Sequence, residues 1–326
     1  MTGASGYVGE LLANALATQG HTIHALCRDV IKAKKMLQNP NIKVFEGDLL
    51  DIDKIEIAMQ NCEQVYHLAA YAKVWNKDNN AFYQMNVVGT ENILNIAKKI
   101  GVKKMVFTST AGVLGPCVGE IVTEKTPQTV PHSTEYERTK AQAEEKVADF
   151  IKNNTDIEVV TVCPTRVYGA GQMSQSNAVT LLIEKYYHKK WKILPDDGTK
   201  MGNYVFVGDV VQGHILAMEY GKNGEKYLLG GENATYRQFF DMIGEVCGHH
   251  LKLIQMPYKI MLFFAKIQQF LADNFGRPPL ITPAFVRKYL YNWHSSSAKA
   301  EKELGYKITP LREGIKTTVD WLKSKN

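Results

Sequence analysis

The chain has 326 residues, enough for one large domain or two interleaved domains. Hydrophobic residues make up 45% and charged residues 22% of it, values ordinary for a soluble globular protein. The net charge of +6 arises from 39 basic and 33 acidic residues spread along the chain, which favours an anionic cofactor and excludes a nucleic-acid surface. The longest apolar run, 260–265, is far too short to span a bilayer, so no stable membrane insertion is expected.

The five cysteines have no metal-ligand spacing and form no Cys-x-x-Cys pair. An odd number of cysteines without a disulfide framework is typical of a reducing compartment. No signal peptide is visible, although a truncated start would hide one. We therefore expect a cytoplasmic protein without a metal site.

The predicted elements alternate between helix and strand through the first half of the chain. A glycine-rich turn opens a helix over 7–18. Strands are expected at 22–27, 43–45, 64–67, 104–107 and 158–163, and further helices at 30–37, 52–60, 79–99 and 136–152. This βαβ series predicts an α/β fold with a doubly wound parallel sheet.

The second half is less regular and is interrupted by prolines. Helices are expected at 209–219 and 236–246, and the apolar segment 258–274 is predicted to be a core helix rather than a membrane contact. We interpret this half as a smaller, interleaved lobe over the carboxyl edge of the sheet, where ligands bind in open α/β folds. The predicted domains are 1–168 for the Rossmann-type half and 169–326 for the lobe, with about 203–232 returning to the first domain.

The turn at 2–9 has glycines at every third position, which is typical of a dinucleotide site. Gly3 permits the tight turn, Gly6 lets the backbone approach a pyrophosphate, and Gly9 lets the helix pack closely on the sheet. The pyrophosphate would lie at the helix N-terminus, where free N–H groups favour an anion. An ordinary glycine-rich loop is the alternative.

The strand expected before this turn is missing except for Met1 and Thr2. Because central parallel strands are buried on both faces, its absence should leave a gap between neighbouring strands. We expect that the natural chain starts several residues earlier. Intact-mass analysis of protein from its native source checks this expectation.

Arg28 ends the second strand, at the position where an acidic residue selects NAD and an arginine accommodates the 2′-phosphate of NADP. A lysine of the next helix, for which we take Lys35, can add to this clamp. We therefore expect NADP to be preferred and NAD to remain possible, since Asp29 can still face the ribose. Asp48, followed by Leu49, can accept from the adenine amino group or cap a helix, a role that Asp51 can equally take.

His67 closes the fourth strand and is predicted to be a hydrogen-bonded core histidine. The small residues after it let the backbone pass close to a flat ligand, and we assign Leu68, Ala69 and Ala70 to the cofactor.

Tyr136 and Lys140 lie four residues apart and so share one helical face. An ammonium beside a phenol lowers the pKa of the phenol, which suits a general acid/base at an alcohol oxygen. The same spacing occurs at Tyr186 and Lys190, so spacing alone is weak. A hydroxyl among residues 108–110 can hold the substrate oxygen beside Tyr136.

Together these residues resemble the extended short-chain dehydrogenase/reductase family. The motifs that carry the resemblance are the glycine turn, Gly47-Asp48, 67–70, 86–90, 108–110, Tyr136/Lys140, 164–169 and 203–209. The resemblance implies that Thr110 is the catalytic hydroxyl and that 164–167 packs near the nicotinamide. It also implies a possible homodimer through two long helices. The cofactor residues it implies are Gly3, Ser5, Gly6, Tyr7, Val8, Gly9, Arg28, Lys35, Asp48, Leu49, 68–70, Thr108, Tyr136, Lys140, Pro164, Thr165 and Val167.

Departures from the family patterns narrow the subfamily. Ala111 and Gly112 stand where sugar-nucleotide dehydratases carry Asp-Glu, and Arg166 stands where sugar-nucleotide epimerases tend to have Asn. The pattern over 106–112 is more similar to the dihydroflavonol-reductase and 3β-hydroxysteroid-dehydrogenase branch. This resemblance implies NADPH-dependent reduction, or the reverse oxidation, of a small and mostly apolar molecule. The alternatives are an epimerase that retains NAD and a cofactor-sensing regulator without turnover.

Overall fold

A computed structural model gives the structure of the chain and describes residues 1–173 and 177–325. The first half has the predicted alternation of strands and helices. Its elements are α1 (Tyr7–Thr18), β1 (Ile23–Cys27), α2 (Val30–Met36), β2 (Ile42–Glu46), α3 (Ile52–Met59), β3 (Gln64–His67), α4 (Asn80–Tyr83), a π-helical stretch (Gln84–Val88), α5 (Gly89–Ile100), β4 (Lys104–Thr108), a 3-10 turn (Ala111–Leu114), α6 (Glu135–Asn153) and β5 (Glu158–Pro164).

The second half contributes shorter strands and the remaining helices. Its elements are β6 (Arg166–Tyr168), α7 (Ala178–Tyr187), β7 (Ile193–Pro195), β8 (Met201–Phe206), α8 (Val207–Tyr220), β9 (Lys226–Leu229), β10 (Glu232–Thr235), α9 (Tyr236–Cys247), β11 (Ile254–Met256), α10 (Tyr258–Phe275), α11 (Pro283–Arg287), a 3-10 turn (Lys288–Leu290), α12 (Ala298–Leu304) and α13 (Leu311–Lys323).

The main sheet is parallel and is interrupted at its centre. Strands β2 and β1 form one part, and β3, β4, β5 and β9 form the other. Thr2 lies between the two parts and bridges Leu26 of β1 and His67 of β3 in parallel register. A small cavity lined by Met1, His24 and Ile55 lies between the two parts.

Strands β3, β4, β5 and β9 of the main sheet consist mostly of buried residues, whereas the edge strand β2 is largely accessible. The sheet has a hydrophobic core on each face. On one face Val106 and Val162 pack with Leu12 of α1 and Met218 of α8. On the other face β4 and β5 pack against α3, α5 and α6, and Phe107 lies in this second core. Because successive side chains of a strand point to opposite faces, neighbouring residues of β4 serve different cores. The predicted doubly wound, Rossmann-type sheet is confirmed.

The second half of the chain builds a separate core beside the carboxyl edge of the main sheet. Strand β8 lies between β6 and β10, parallel to the first and antiparallel to the second. Helices α7, α9 and α13 cover this small sheet. Tyr168 of β6 and Phe239 and Phe240 of α9 are among the aromatic side chains of this core. Strands β7 and β11 form a further parallel pair. Helix α8 and strand β9 instead pack with the main sheet.

Helix α10 differs from the prediction of a core helix. Only Met261, Ala265 and Ala272 are buried in it. Phe263 is 62% exposed, and Phe264 and Phe270 are also exposed. The prediction was wrong because apolar composition alone does not set orientation: α10 packs on the lobe through one narrow stripe. Across residues 1–173 and 177–325, no helix combines the length and the apolar character needed to cross a membrane.

Candidate active site

The glycine turn is built so that side chains cannot replace its glycines. Gly3 has a φ of +74°, and a Cβ there would lie 2.7 Å from the Ala69 backbone nitrogen. A Cβ on Gly9 would lie 2.0 Å from the Gly3 carbonyl oxygen. Gly6 precedes α1 in extended conformation, and no side chain caps the helix. The first N–H groups of α1 therefore remain available, an arrangement that fits the pyrophosphate of a dinucleotide.

Two further residues of the turn are held by the loop after β6. The Tyr7 hydroxyl donates to the Gly169 carbonyl oxygen at 3.0 Å. The Ser5 carbonyl oxygen accepts from Gln172 at 3.1 Å, and Lys32 donates to the same Gln172 side chain at 3.4 Å. The sequence analysis did not identify Gln172, because no motif includes it. Gln172 connects α2 with the glycine turn, since it accepts from Lys32 and donates to Ser5. Among the described residues, Lys35 forms no hydrogen bond to this glutamine.

Arg28 projects from the end of β1, and its side chain is 67% exposed. Its nearest acid is Asp48, with Nε and a carboxylate oxygen 3.8 Å apart. Asp29 caps α2 by accepting from the Lys32 backbone N–H at 2.9 Å. The carboxylate that was left open as a ribose ligand is therefore occupied in the helix cap.

The loop after β2 divides its roles between two aspartates. Asp51 caps α3 by accepting from the Lys54 N–H at 3.1 Å. Asp48 accepts from the Leu50 N–H at 3.1 Å and faces Arg28, so it is the carboxylate that remains at the sheet edge. Leu49 is buried against Gly89 at the start of α5, which fixes the loop beneath it.

The end of β3 is tied to the glycine turn through Thr2. His67 has both ring nitrogens in contact with hydroxyls, of Thr2 at 2.7 Å and of Thr90 at 3.1 Å. Burial, with a smaller contribution from Lys140, lowers the pKa of His67 to about 3. The prediction of a hydrogen-bonded core histidine is confirmed. Ala69 donates its N–H to the Thr2 hydroxyl at 3.2 Å, which holds the chain of 68–70 against Gly3.

Lys140 lies in the interior, with 1% of its surface exposed. Its Nζ stands 4.0 Å from the centre of the Phe107 ring. In the part of the chain that the structure describes, no ion pair or hydrogen bond to this ammonium is found. Burial lowers the pKa of Lys140 to about 8, and Glu144 opposes the change. The ammonium is thus held in place without a partner, as a ligand for ribose hydroxyls would be.

Tyr136 occupies the first turn of α6, which begins at a capping box between Thr134 and Glu137. Burial raises the pKa of Tyr136, and the charges of Glu137 and Cys163 add to the rise. We expected Lys140 to lower this pKa, and in the structure that lowering is absent. The reason is that burial dominates and that the Lys140 ammonium lies over Phe107.

The hydroxyls at the end of β4 are directed to different places. Ser109 donates to Glu144, and Thr108 is hydrogen bonded to His214 of α8 at 2.9 Å. Thr110 begins the 3-10 turn and accepts from the Gly112 N–H at 3.2 Å, and α6 packs beside this turn with Glu137 against Gly112. Thr110 therefore begins the turn that packs against the start of α6, whereas the Thr108 side chain is engaged with His214.

The loop after β5 is fixed to the small sheet. Thr165 donates its hydroxyl to the side-chain amide oxygen of Asn203 at 2.7 Å, and Pro164 is buried. Val167 pairs with Val205 in parallel register. The segment 164–167 thus passes from the main sheet to the lobe at the carboxyl edge, close to the strand ends that carry Thr110.

Asn86 is a further positioning residue that the sequence did not single out beyond its motif. It lies in the π-helical stretch, a form often found at functional sites. Its side chain accepts from the Tyr71 N–H at 2.6 Å and donates to Thr139 at 2.9 Å. It therefore fixes the loop after β3 against the helix that carries Tyr136 and Lys140.

Comparison with known proteins identifies the family to which the chain belongs. The sequence profile described as "NAD dependent epimerase/dehydratase family" matches residues 1–230. The chain is 28% identical to sterol demethylase protein B of Methylococcus capsulatus, covering 100% of this chain and 98% of that protein. It is 29% identical to a decarboxylating sterol-4-alpha-carboxylate 3-dehydrogenase of Candida albicans, covering 86% and 83%.

A solved structure of similar fold is that of a mutant UDP-glucuronic acid 4-epimerase of Bacillus cereus in complex with UDP-4-deoxy-4-fluoro-glucuronic acid and NAD. It superposes with a TM-score of 0.80 at 23% identity, covering 100% of this chain and 98% of that chain. At this identity the similarity concerns the fold alone. The family match confirms the resemblance stated from the sequence motifs.

Proposed function

Since this chain belongs to the NAD dependent epimerase/dehydratase family, we propose that it is an NADPH-preferring oxidoreductase acting on a small carbonyl or alcohol substrate. The observation that carries the proposal is Lys140, a buried ammonium without an acidic partner in the described chain, four residues after Tyr136 on α6. Burying a cation is costly unless something compensates it. The ribose hydroxyls of a bound cofactor are the acceptors that this position suits.

The bound nicotinamide would supply the hydride in reduction, or accept it in oxidation. Tyr136 donates the proton to the carbonyl oxygen, so that hydride and proton together convert a carbonyl into an alcohol. The Thr110 hydroxyl orients that oxygen beside Tyr136. Lys140 holds the ribose. A phenol is protonated near neutral pH, as the acid in the reduction must be.

The preference for NADPH is supported by the two residues at the end of β1. Asp29 uses one carboxylate oxygen in the α2 cap, which reduces its availability as a ribose ligand. Arg28 is exposed and weakly paired, and its guanidinium can bind a phosphate through two parallel hydrogen bonds.

Paired titrations of purified protein with NADPH and NADH, followed by fluorescence transfer from protein to nicotinamide, test the cofactor proposal. Clearly tighter NADPH binding is expected. Consumption of NADPH with a panel of aldehydes and ketones then tests turnover. Equal or tighter binding of NADH would contradict the role of Arg28, and a panel without any turnover would contradict the reductase proposal.

An epimerase that retains NAD is the second candidate, because the family that the chain matches includes epimerases. Chromatography of the nucleotides released on denaturation distinguishes the two, because only the epimerase requires tightly bound NAD after purification. A sensor without turnover is disfavoured by the presence of both Tyr136 and Lys140.

A further inference from the structure

Arg166 opens β6 at the carboxyl edge, directly after the loop that leaves the main sheet. Its guanidinium carbon stands 5.7 Å from the centre of the Tyr204 ring and 5.2 Å from the centre of the Tyr236 ring. A Cβ on Gly202 would lie 2.4 Å from one guanidinium nitrogen. The planar group therefore lies on bare backbone of β8, between two aromatic rings.

No carboxylate accompanies this cation in the part of the chain that the structure describes. The groups close enough to influence its pKa are the phenols of Tyr204, Tyr236 and Tyr289. Glu232, which faces Tyr204 in strand register, accepts from the Leu311 N–H at 2.8 Å instead. A partly buried arginine with only aromatic neighbours retains unused hydrogen-bond donors.

The Tyr204 hydroxyl is a second unused group at the same place. Tyr204 is 2% exposed, its ring stacks on Phe239 at 4.4 Å, and its hydroxyl has no hydrogen-bond partner within the described residues. An unpaired buried hydroxyl costs free energy, and such groups are rare in proteins. A buried hydroxyl without a geometric hydrogen-bond partner, beside a guanidinium with five N–H donors, indicates that an acceptor from outside the chain completes the site.

The arginine group, which consists of Arg166, Tyr204 and Tyr236, is connected through neighbouring residues to the helix that carries Tyr136. The Tyr236 ring contacts Tyr289 at 5.4 Å between centres. Lys288, the residue before Tyr289, forms an ion pair with Glu137, which directly follows Tyr136 on α6. The segment 288–289 thus touches both the arginine group and the first turn of α6.

We propose that Arg166 and Tyr204 bind a carboxylate group of the substrate on which Tyr136 acts. This inference rests on the proposed function and adds a substrate class: a mostly apolar carbonyl compound, or the corresponding alcohol, with one carboxylate. The planar fork of arginine matches the two oxygens of a carboxylate. A single negative charge also matches the single free cation here, because Lys288 is already paired with Glu137.

Matched substrates that differ only in charge test the inference. The pairs are 4-formylbenzoate with its methyl ester and 4-oxopentanoate with its methyl ester, and NADPH consumption gives kcat/KM for each. The wild type should favour the acid of at least one pair by 10-fold or more. Arg166→Met should lower this acid-to-ester ratio by at least 10-fold, and Arg166→Lys, which keeps the charge without the fork, should lower it less. Arg277→Met, on the exposed surface, is the control and should keep the wild-type ratio.

Tyr204→Phe tests the same site independently of the arginine variants, which can fold poorly. The removed hydroxyl has no partner to lose, so the thermal midpoint should stay at or above the wild-type value. The acid-to-ester ratio should nevertheless fall about 2- to 10-fold, as expected for one hydrogen bond to a charged group. An unchanged ratio in this variant would overturn the role of Tyr204.

A binding measurement separates this inference from the proposed function. Saturation-transfer NMR on the NADP⁺ complex compares benzoate, methyl benzoate and phenyl phosphate. Benzoate bound at least 10-fold tighter than the ester in wild type, and not in Arg166→Met, supports the carboxylate site even if no aldehyde is reduced. Equal binding of benzoate and ester would overturn the site even if NADPH is consumed. Phenyl phosphate bound more tightly than benzoate would overturn the choice of carboxylate.

Discussion

A buried cation in one half of the molecule, Lys140, and a partly buried cation in the other, Arg166, can be compared. Lys140 lies over Phe107 in the dinucleotide half, and Arg166 lies between Tyr204 and Tyr236 in the lobe. Both have aromatic neighbours and, among the described residues, neither has a carboxylate partner. The position of Lys140 relative to Tyr136 follows from a spacing of four residues on one helix, whereas the Arg166 group comes from three separate segments of the chain. The cofactor half therefore carries its chemistry locally, and the lobe builds its chemistry from distant parts of the chain.

The polar groups near the two cations also differ in whether they have hydrogen-bond partners. Around Lys140 the polar groups of the sheet edge are paired, since His67, Thr108 and Ser109 all have partners. Around Arg166 the Tyr204 hydroxyl is unpaired. We infer that the first site is organised before its ligand binds, whereas the second depends on the ligand for one of its hydrogen bonds.

The largest expected effect tests whether the dinucleotide half carries the chemistry. Tyr136→Phe should lower kcat about 10²- to 10⁴-fold, because it removes the proton donor while leaving the ring in place. The dissociation constant for NADPH should change little. Stopped-flow NADPH consumption and the fluorescence titration measure the two quantities. Tyr186→Phe, at the other Tyr/Lys spacing, is the control, and wild-type turnover in Tyr136→Phe would refute the assignment.

Lys140→Met sharpens the comparison by removing one of the two cations. Turnover should be lost, while the free energy of unfolding at pH 7 should rise by about 1–3 kcal/mol, because burial lowers the pKa of Lys140 from 10.5 to about 8. Between pH 8 and 10.5 the unfolded chain binds more protons at this residue, so wild-type stability gains with pH in that window.

The stability difference between Lys140→Met and wild type should therefore be largest below pH 8 and shrink toward pH 10.5. Urea unfolding at several pH values measures it. The control is Lys146→Met, an exposed lysine on the same helix, which should stay near wild type throughout. A difference that is independent of pH would show that the Lys140 charge is not the cause.

Arg28→Ser addresses the outer end of the dinucleotide half. The NADPH dissociation constant should rise about 10-fold, as expected for the loss of charge-assisted hydrogen bonds at an exposed site, while that for NADH should stay the same. Lys32→Ala should give a smaller loss, and Arg312→Ala on α13 should give none. Equal weakening of both cofactors would mean that Arg28 acts on the turn rather than on the 2′-phosphate.

The smallest expected effect concerns the lobe surface. Phe263→Ala on α10 should change the free energy of unfolding by at most about 0.5 kcal/mol, because this side chain is 62% exposed. Phe239→Ala, in the core of the same lobe, should cost about 3–5 kcal/mol. Chemical denaturation of the two variants gives both values. A large cost at Phe263 would show that α10 is buried in solution.

The sequence by itself determined the parallel sheet, the glycine turn and the placement of Tyr136 and Lys140. These features rest on short-range patterns: glycines every third residue, apolar strands of four to seven residues, and a helical spacing of four. The helix and strand limits of the first half were predicted to within a few residues for the same reason. The family motif over 108–110 also identified Thr110 as the candidate catalytic hydroxyl.

Only the tertiary structure decided which of several similar side chains caps a helix, forms a hydrogen bond or remains at the site. It placed Asp29 and Asp51 in helix caps, Ser109 on Glu144 and Lys140 over Phe107. It also exposed the apolar face of α10 and gathered the Arg166 group. These outcomes depend on which residues distant in sequence meet, and on burial, which sets the sign of a pKa shift. Neither quantity is contained in the local order of residues.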